Sequence, residues 1–216
     1  MDLKSFLKET NGRCFYVMDT ETTGFKADKF DAIEVSALKV FNNHGKFEIK
    51  GEFDSFINPH YPLPQAIVDF NQREGTGICD ALLRNQPDAD EVAERLNEFF
   101  GKDADDLYVV GHNIDKFDVP FIRKLLDAGC YDFYPETFDT LTYAKAHYSD
   151  INPATEKVSH ALGIVFEHTD KIFSKAALEA GTLKAHLSIG DCYMTLDVMD
   201  REIKTEKSLQ KNSLDR

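Results

Sequence analysis

The stretch FYVMDTETTGF, residues 15–25, is apolar at its start and then turns abruptly acidic. Phe15, Tyr16, Val17 and Met18 predict a buried strand, and Asp19 and Glu21 follow directly. Desolvating charge is costly, so a core strand that ends in two carboxylates needs a compensating partner. Residues two apart on a strand project from the same face, so the pair would share one surface. There each carboxylate repels the other and raises its pKa unless a cation sits between them. Hard divalent cations such as Mg²⁺ take oxygen ligands of this kind. The spacing by itself is weak, because Asp88/Asp90 and Asp103/Asp105 repeat it and read as solvated acids or helix caps. What sets 19–21 apart is the apolar run before it and the TTG after it.

Two further stretches have the same character. VVGHNIDKFDVPF (109–121) is a strand leaving the core into a polar loop, with Asp118 at the head of a helix. Asp is among the best N-cap residues, and capping alone would account for Asp118. His112 and Asn113 are equally at home as turn formers. In AHLSIGDCYMTLDVM (185–199), His186 and Asp191 lie five apart, about 140° of rotation on a continuous helix. They can face one site only if His186 precedes the helix proper and Asp191 projects from it. The plain alternative is a surface His and a surface Asp.

Bulk properties bound the class. At 216 residues with 17 Phe and 8 Tyr, the chain supports one sizeable core. Met1 to Arg13 has no apolar core of a signal peptide, and no run approaches membrane-spanning length. The chain therefore reads as soluble, with a cytoplasmic location expected and no membrane partner. Cys14, Cys79, Cys130 and Cys192 are scattered, without zinc-type spacing, and are expected to be buried, reduced thiols. A net charge of −13 argues against coating long stretches of nucleic acid. It leaves room for an enzyme that grips a few nucleotides through metals that reverse the local sign.

Strands are expected at Cys14–Thr20, Ile33–Phe41 and Phe47–Ile57, the last two separated by the turn signal NNHG (42–45). PHYPLP (59–64) starts an exposed connection. A helix over 88–100, a strand over 107–111 and a helix over 118–129 follow. Beyond them, helices are expected near 139–147 and 155–162, an irregular stretch from Gly163, and a helix over 187–204. Residues 1–204 read as a single domain and 205–216 as a polar, frayed tail. The order of elements is that of an α/β layered domain.

Taken together, the three acidic segments resemble the three exonuclease motifs of the DnaQ-like, DEDD-type 3′→5′ exonucleases. DTETTG (19–24), GHNIDKFDVPF (111–121) and AHLSIGD (185–191) carry the likeness, the last in the form of the histidine branch. FINPHYPLP and TGICDALLRNQP (76–87) also read like connecting segments of that family, and the likeness spans roughly 14–200. It implies a ribonuclease-H-like fold with a mixed five-stranded sheet flanked by helices. It implies ligation of two Mg²⁺ ions, with Mn²⁺ able to substitute, by Asp19, Glu21, Asp118 and Asp191, and His186 as general base. Three residues, Ile114, Asp115 and Lys116, separate the HN and FD pairs where many members have two, so Asp115 rivals Asp118 as the ligand. Thr22, Phe25 and Asn113 are candidate contacts to the terminal nucleotide, though Phe25 would serve equally as core. The expected activity removes nucleoside monophosphates from a DNA 3′ end, with RNA trimming or a non-catalytic binding module as alternatives. A DNA polymerase acting alongside in trans is the expected kind of partner, and oligomeric state is left open.

Overall fold

A computed structural model describes residues 1–147 and 187–214. Its centre is a mixed five-stranded sheet of order β3-β2-β1-β4-β5, formed by β1 (Cys14–Thr22), β2 (Ala32–Asn43), β3 (Lys46–Phe56), β4 (Tyr108–Gly111) and β5 (Glu136–Asp139). β1 pairs antiparallel with β2 and parallel with β4, so the central strand joins the hairpin half to the crossover half. Both faces of the sheet are covered, which explains why β1 opens as an unbroken apolar run rather than an alternating one.

Alternation along β1 sorts its side chains between two cores. Tyr16 and Met18 face a core with Val92, Leu96 and Phe100 of α4 (Ala89–Phe100) and Phe121 and Ile122 of α5 (Asp118–Ala128). Phe15 and Val17 face the opposite core with Phe6, Leu38, Phe138, Cys192 and Met199. That second layer is built by α1 (Leu3–Glu9), α6 (Thr140–His147) and α7 (Ser188–Leu214). Asp19 and Glu21 continue the Phe15–Val17 series, which directs them to the α7 face.

The sheet and its flanking helices agree with expectation, and the departures have local causes. β1 runs two residues past Thr20, carrying both acids within the strand, and its register shifts between Glu21 and Thr22. α1 has no counterpart in the sequence reading; Asp2 accepts from the Ser5 amide at 2.9 Å and Phe6 is fully buried against Phe15 and Phe138. α2 (Gln65–Glu74) occupies part of the expected connection, and the single-turn α3 (Asp80–Leu83) follows it. The C-terminal helix reaches Leu214 rather than Lys204, so the backbone of 205–214 is helical. All four cysteines are free, but Cys79 and Cys130 are exposed and only Cys192 is buried, which corrects the expectation of buried thiols. Cys79 immediately precedes α3, and Cys130 adopts a left-handed φ of 61° just after α5, both at the surface. The expected helix at 155–162 and the stretch from Gly163 lie outside the described residues. No helix among those described is long and apolar enough to cross a membrane.

Glu202 of α7 is 1% exposed, and neither of its carboxyl oxygens has a hydrogen-bond partner among the described residues. Burial, aided by the nearby Asp139 charge, pushes its carboxyl up to about 9. A carboxyl raised on folding costs no stability below its unfolded pKa. The cost grows as pH climbs from the ordinary glutamate range toward about 9. Glu202→Gln, which cannot ionise, should therefore melt higher than wild type at pH 8, and the gap should close toward pH 5. Parallel melting-temperature curves from pH 5 to 8 would show that Glu202 pays no such cost.

Candidate active site

The end of β1 and the first turn of α7 bring three carboxylates together. Asp19, Glu21 and Asp191 each place an oxygen so that all three lie within 4.8 Å of one another, and all three side chains are half-buried. That spacing lets oxygens from separate carboxylates share a small divalent cation. α7 begins at Ser188, so Asp191 projects from its first turn, as the His186–Asp191 spacing requires. His186 itself lies outside the described residues.

Asp118 joins the group from the other side of the sheet. It is the first residue of α5, and the capping position belongs to Phe117. Its Oδ1 instead accepts from the Thr20 amide at 3.0 Å and the Thr20 hydroxyl at 2.8 Å. Thr20 is the residue between Asp19 and Glu21, so the link ties α5 to the acidic strand end. The capping account of Asp118 is thereby overturned. Its rival Asp115 is exposed and accepts from the Thr137 hydroxyl at 2.6 Å, on the side of β5.

Electrostatics within the group are those of crowded, desolvated acids. Asp19 is held well above the usual carboxylate range by burial first, then by the charges of Asp118, Asp191, Glu21 and Glu34. Burial also pushes Glu21 up to about 8, with help from Asp191 and Asp118. For Asp118 burial raises the carboxyl to about 7, against the two Thr20 hydrogen bonds, which favour the charged form. Such a set is unfavourable as bare anions and becomes favourable when a cation neutralises it, so the residues fit a divalent metal.

The remaining candidates surround this cluster. Phe25 is 85% exposed, so it is not core, and its ring is free to meet a ligand. Thr22 is buried and donates its hydroxyl to the Gly24 carbonyl at 2.7 Å, shaping the loop that carries Phe25. Gly24 is required by packing: a Cβ there would stand 2.5 Å from the Phe30 ring. Asn113 holds a left-handed φ of 66° while its amide donates to Asp139 Oδ1 at 3.1 Å. Sequence reasoning missed Glu34 and Ser36. Polar residues two apart inside AIEVSALKV were the available signal, since they share a strand face just as Asp19 and Glu21 do.

A mixed sheet in this order, with acids at the end of its central strand, defines an α/β domain of the ribonuclease-H-like class. The family model described as Exonuclease (RNase_T) matches residues 16–199, and the chain belongs to that exonuclease family. Among curated relatives, a PolC-type DNA polymerase III of Clostridium perfringens is 31% identical over 197 residues, covering 90% of this chain and 12% of that one. A PolC-type DNA polymerase III of Bacillus cereus is 36% identical over 132 residues, covering 61% of this chain and 8% of that one. The chain thus spans about an eighth or less of the length of these relatives. In fold it is similar to E. coli exonuclease I in complex with a dT13 oligonucleotide, with a TM-score of 0.64 at 20% identity over 93% of this chain and 43% of that chain. The zinc-bound E. coli exonuclease I–ssDNA complex gives a TM-score of 0.63, also at 20% identity, over 93% of this chain and 42% of that one.

Proposed function

We propose that this chain is a 3′→5′ exonuclease domain, within residues 1–204, that hydrolyses phosphodiester bonds at a DNA 3′ end and releases nucleoside monophosphates. The observation that carries this reading is the carboxylate group at the end of β1, with three acids within 4.8 Å and Asp118 bonded to the strand between two of them. Asp19, Glu21, Asp118 and Asp191 would hold two Mg²⁺ ions, with Mn²⁺ as an alternative. Bound there, such ions supply Lewis acidity to the attacking water and to the departing 3′-oxygen. His186, joined two residues before Ser188, takes the proton of the attacking water, a task suited to a group titrating near neutrality. DNA is favoured because the relatives are DNA polymerases and the fold neighbours hold ssDNA and dT13. The same relatives make association with a DNA polymerase the natural setting.

Hydrolysis of 5′-labelled DNA and RNA oligonucleotides of one sequence, with and without Mg²⁺, tests the whole reading. A descending DNA ladder that needs Mg²⁺ supports it. Stronger trimming of RNA would move the substrate assignment, and binding without release would make the chain a non-catalytic module.

The exposed Phe25 ring gives a separate expectation. Stacking on an aromatic contributes about 1–3 kcal/mol per base, so Phe25→Ala should raise KM roughly 5- to 150-fold. Its melting temperature should match wild type because the ring is 85% exposed. An unchanged KM would remove Phe25 from the substrate site.

A further inference from the structure

Asp191 projects from the first turn of α7, and the side-chain hydrogen bonds at the start of that helix run to β2. The register of β1 and β2 places Ser36 opposite Asp19 and Glu34 opposite Glu21. Directly paired residues share a face, so Glu34 and Ser36 stand on the α7 side, on the two rungs that bear the acids. Both then reach Ser188, the first residue of α7. The Ser188 amide donates to Glu34 Oε2 at 3.3 Å, meeting one of the helix's unpaired N-terminal donors. The Ser36 and Ser188 hydroxyl oxygens are 2.6 Å apart. Ser36 gives its single proton to Asp54 Oδ1 at 2.7 Å, so in this contact Ser188 is the donor. One turn on, the Cys192 thiol donates to the Ser36 carbonyl with Sγ at 3.6 Å. Glu34 is 1% exposed, and Ser36 and Ser188 are fully buried. Polar groups so deeply enclosed are expensive to leave unmatched, which makes the arrangement specific.

We propose that Glu34 and Ser36 are positioning residues of the metal centre, gripping Ser188 so that Asp191 stands opposite Asp19 and Glu21. This rests on the metal-dependent reading above. One strand thus templates the site twice, by pairing with the strand that carries two ligands and by seating the helix that carries the third.

The test uses the full chain and its Ser36→Ala, Glu34→Ala and Glu34→Gln variants. Two readouts are taken: half-saturating Mg²⁺ for cleavage of a 5′-labelled oligonucleotide, and Mn²⁺ affinity by calorimetry without nucleic acid. Groups that orient metal ligands typically matter by about 10- to 100-fold in metal affinity or activity, so both alanine variants should shift by that order. Excess metal should restore much of their turnover. Glu34→Gln keeps an oxygen to accept the Ser188 amide and should stay near wild type. Ser36→Ala removes a single oxygen and guards against a variant that merely fails to fold. Wild-type metal dependence in both alanine variants, even with a lower melting temperature, overturns the proposal. So does a Glu34→Gln variant as impaired as Glu34→Ala, since charge rather than grip would then matter. If the wild type cleaves nothing, the nuclease reading fails, and calorimetry still decides the positioning claim.

Discussion

Asp19→Asn is expected to abolish cleavage while leaving a protein that is folded and, in metal-free buffer, more stable than wild type. Lewis-acid stabilisation by a bound ion is worth several kcal/mol of the barrier, and each 1.36 kcal/mol is tenfold in rate. If Asp19 holds the metal as proposed, losing its carboxylate should cost about a thousandfold or more in kcat/KM. Stability moves the other way. The Asp19 carboxyl is held above its ordinary range by burial and by four neighbouring acids, so the folded state keeps its proton longer than the unfolded chain does. Without metal, stability falls as pH rises from the ordinary aspartate range through that raised value. Asparagine escapes this, and its advantage should widen from pH 5 to pH 8. Mg²⁺ should raise the wild-type melting temperature by mass action and raise that of the variant much less. Calorimetric melts with EDTA and with Mg²⁺ at the two pH values check every part. A destabilised, still active variant would mean that Asp19 serves the fold rather than the chemistry.

His186→Ala separates proton transfer from metal binding. General-base catalysis contributes about 10²- to 10⁴-fold, so kcat should fall by that order. The Mg²⁺-induced gain in melting temperature should persist, because the carboxylates remain. The pH profile of kcat/KM should also lose the limb belonging to a group near neutrality. Wild-type rates from pH 6 to 9 would take the general-base role away from His186.

The parts of the molecule legible from sequence are those where local pattern and tertiary setting agree. β1 could be read because a strand covered on both faces is apolar throughout until the acids begin. α4 could be read from apolar residues at helical spacing, and α5 from Pro120 in its first turn and Gly129 as its stop. Asp118 shows the limit. Its position before a helix suits a cap, and only the approach of Thr20, 98 residues away in sequence, reveals where its carboxylate is used. The four residues of β5 carry one buried hydrophobic side chain, and parallel pairing with β4 supplies the rest. Helix α2 buries little along its length, which left a weak pattern against the prolines before it. Glu34 and Ser36 were hidden for a different reason, since their importance depends on register, which no single strand states.

Asp19 and Asp191 are separated by 172 positions, and the ribosome makes β1 long before it makes α7. At roughly 5–20 residues per second, a nascent chain spends on the order of ten seconds or longer with its first two acids made and the third still missing. During that interval the acidic end of β1 lacks the oxygen that Asp191 brings to it. The three-acid cluster is assembled only once α7 has been made and packed against the sheet.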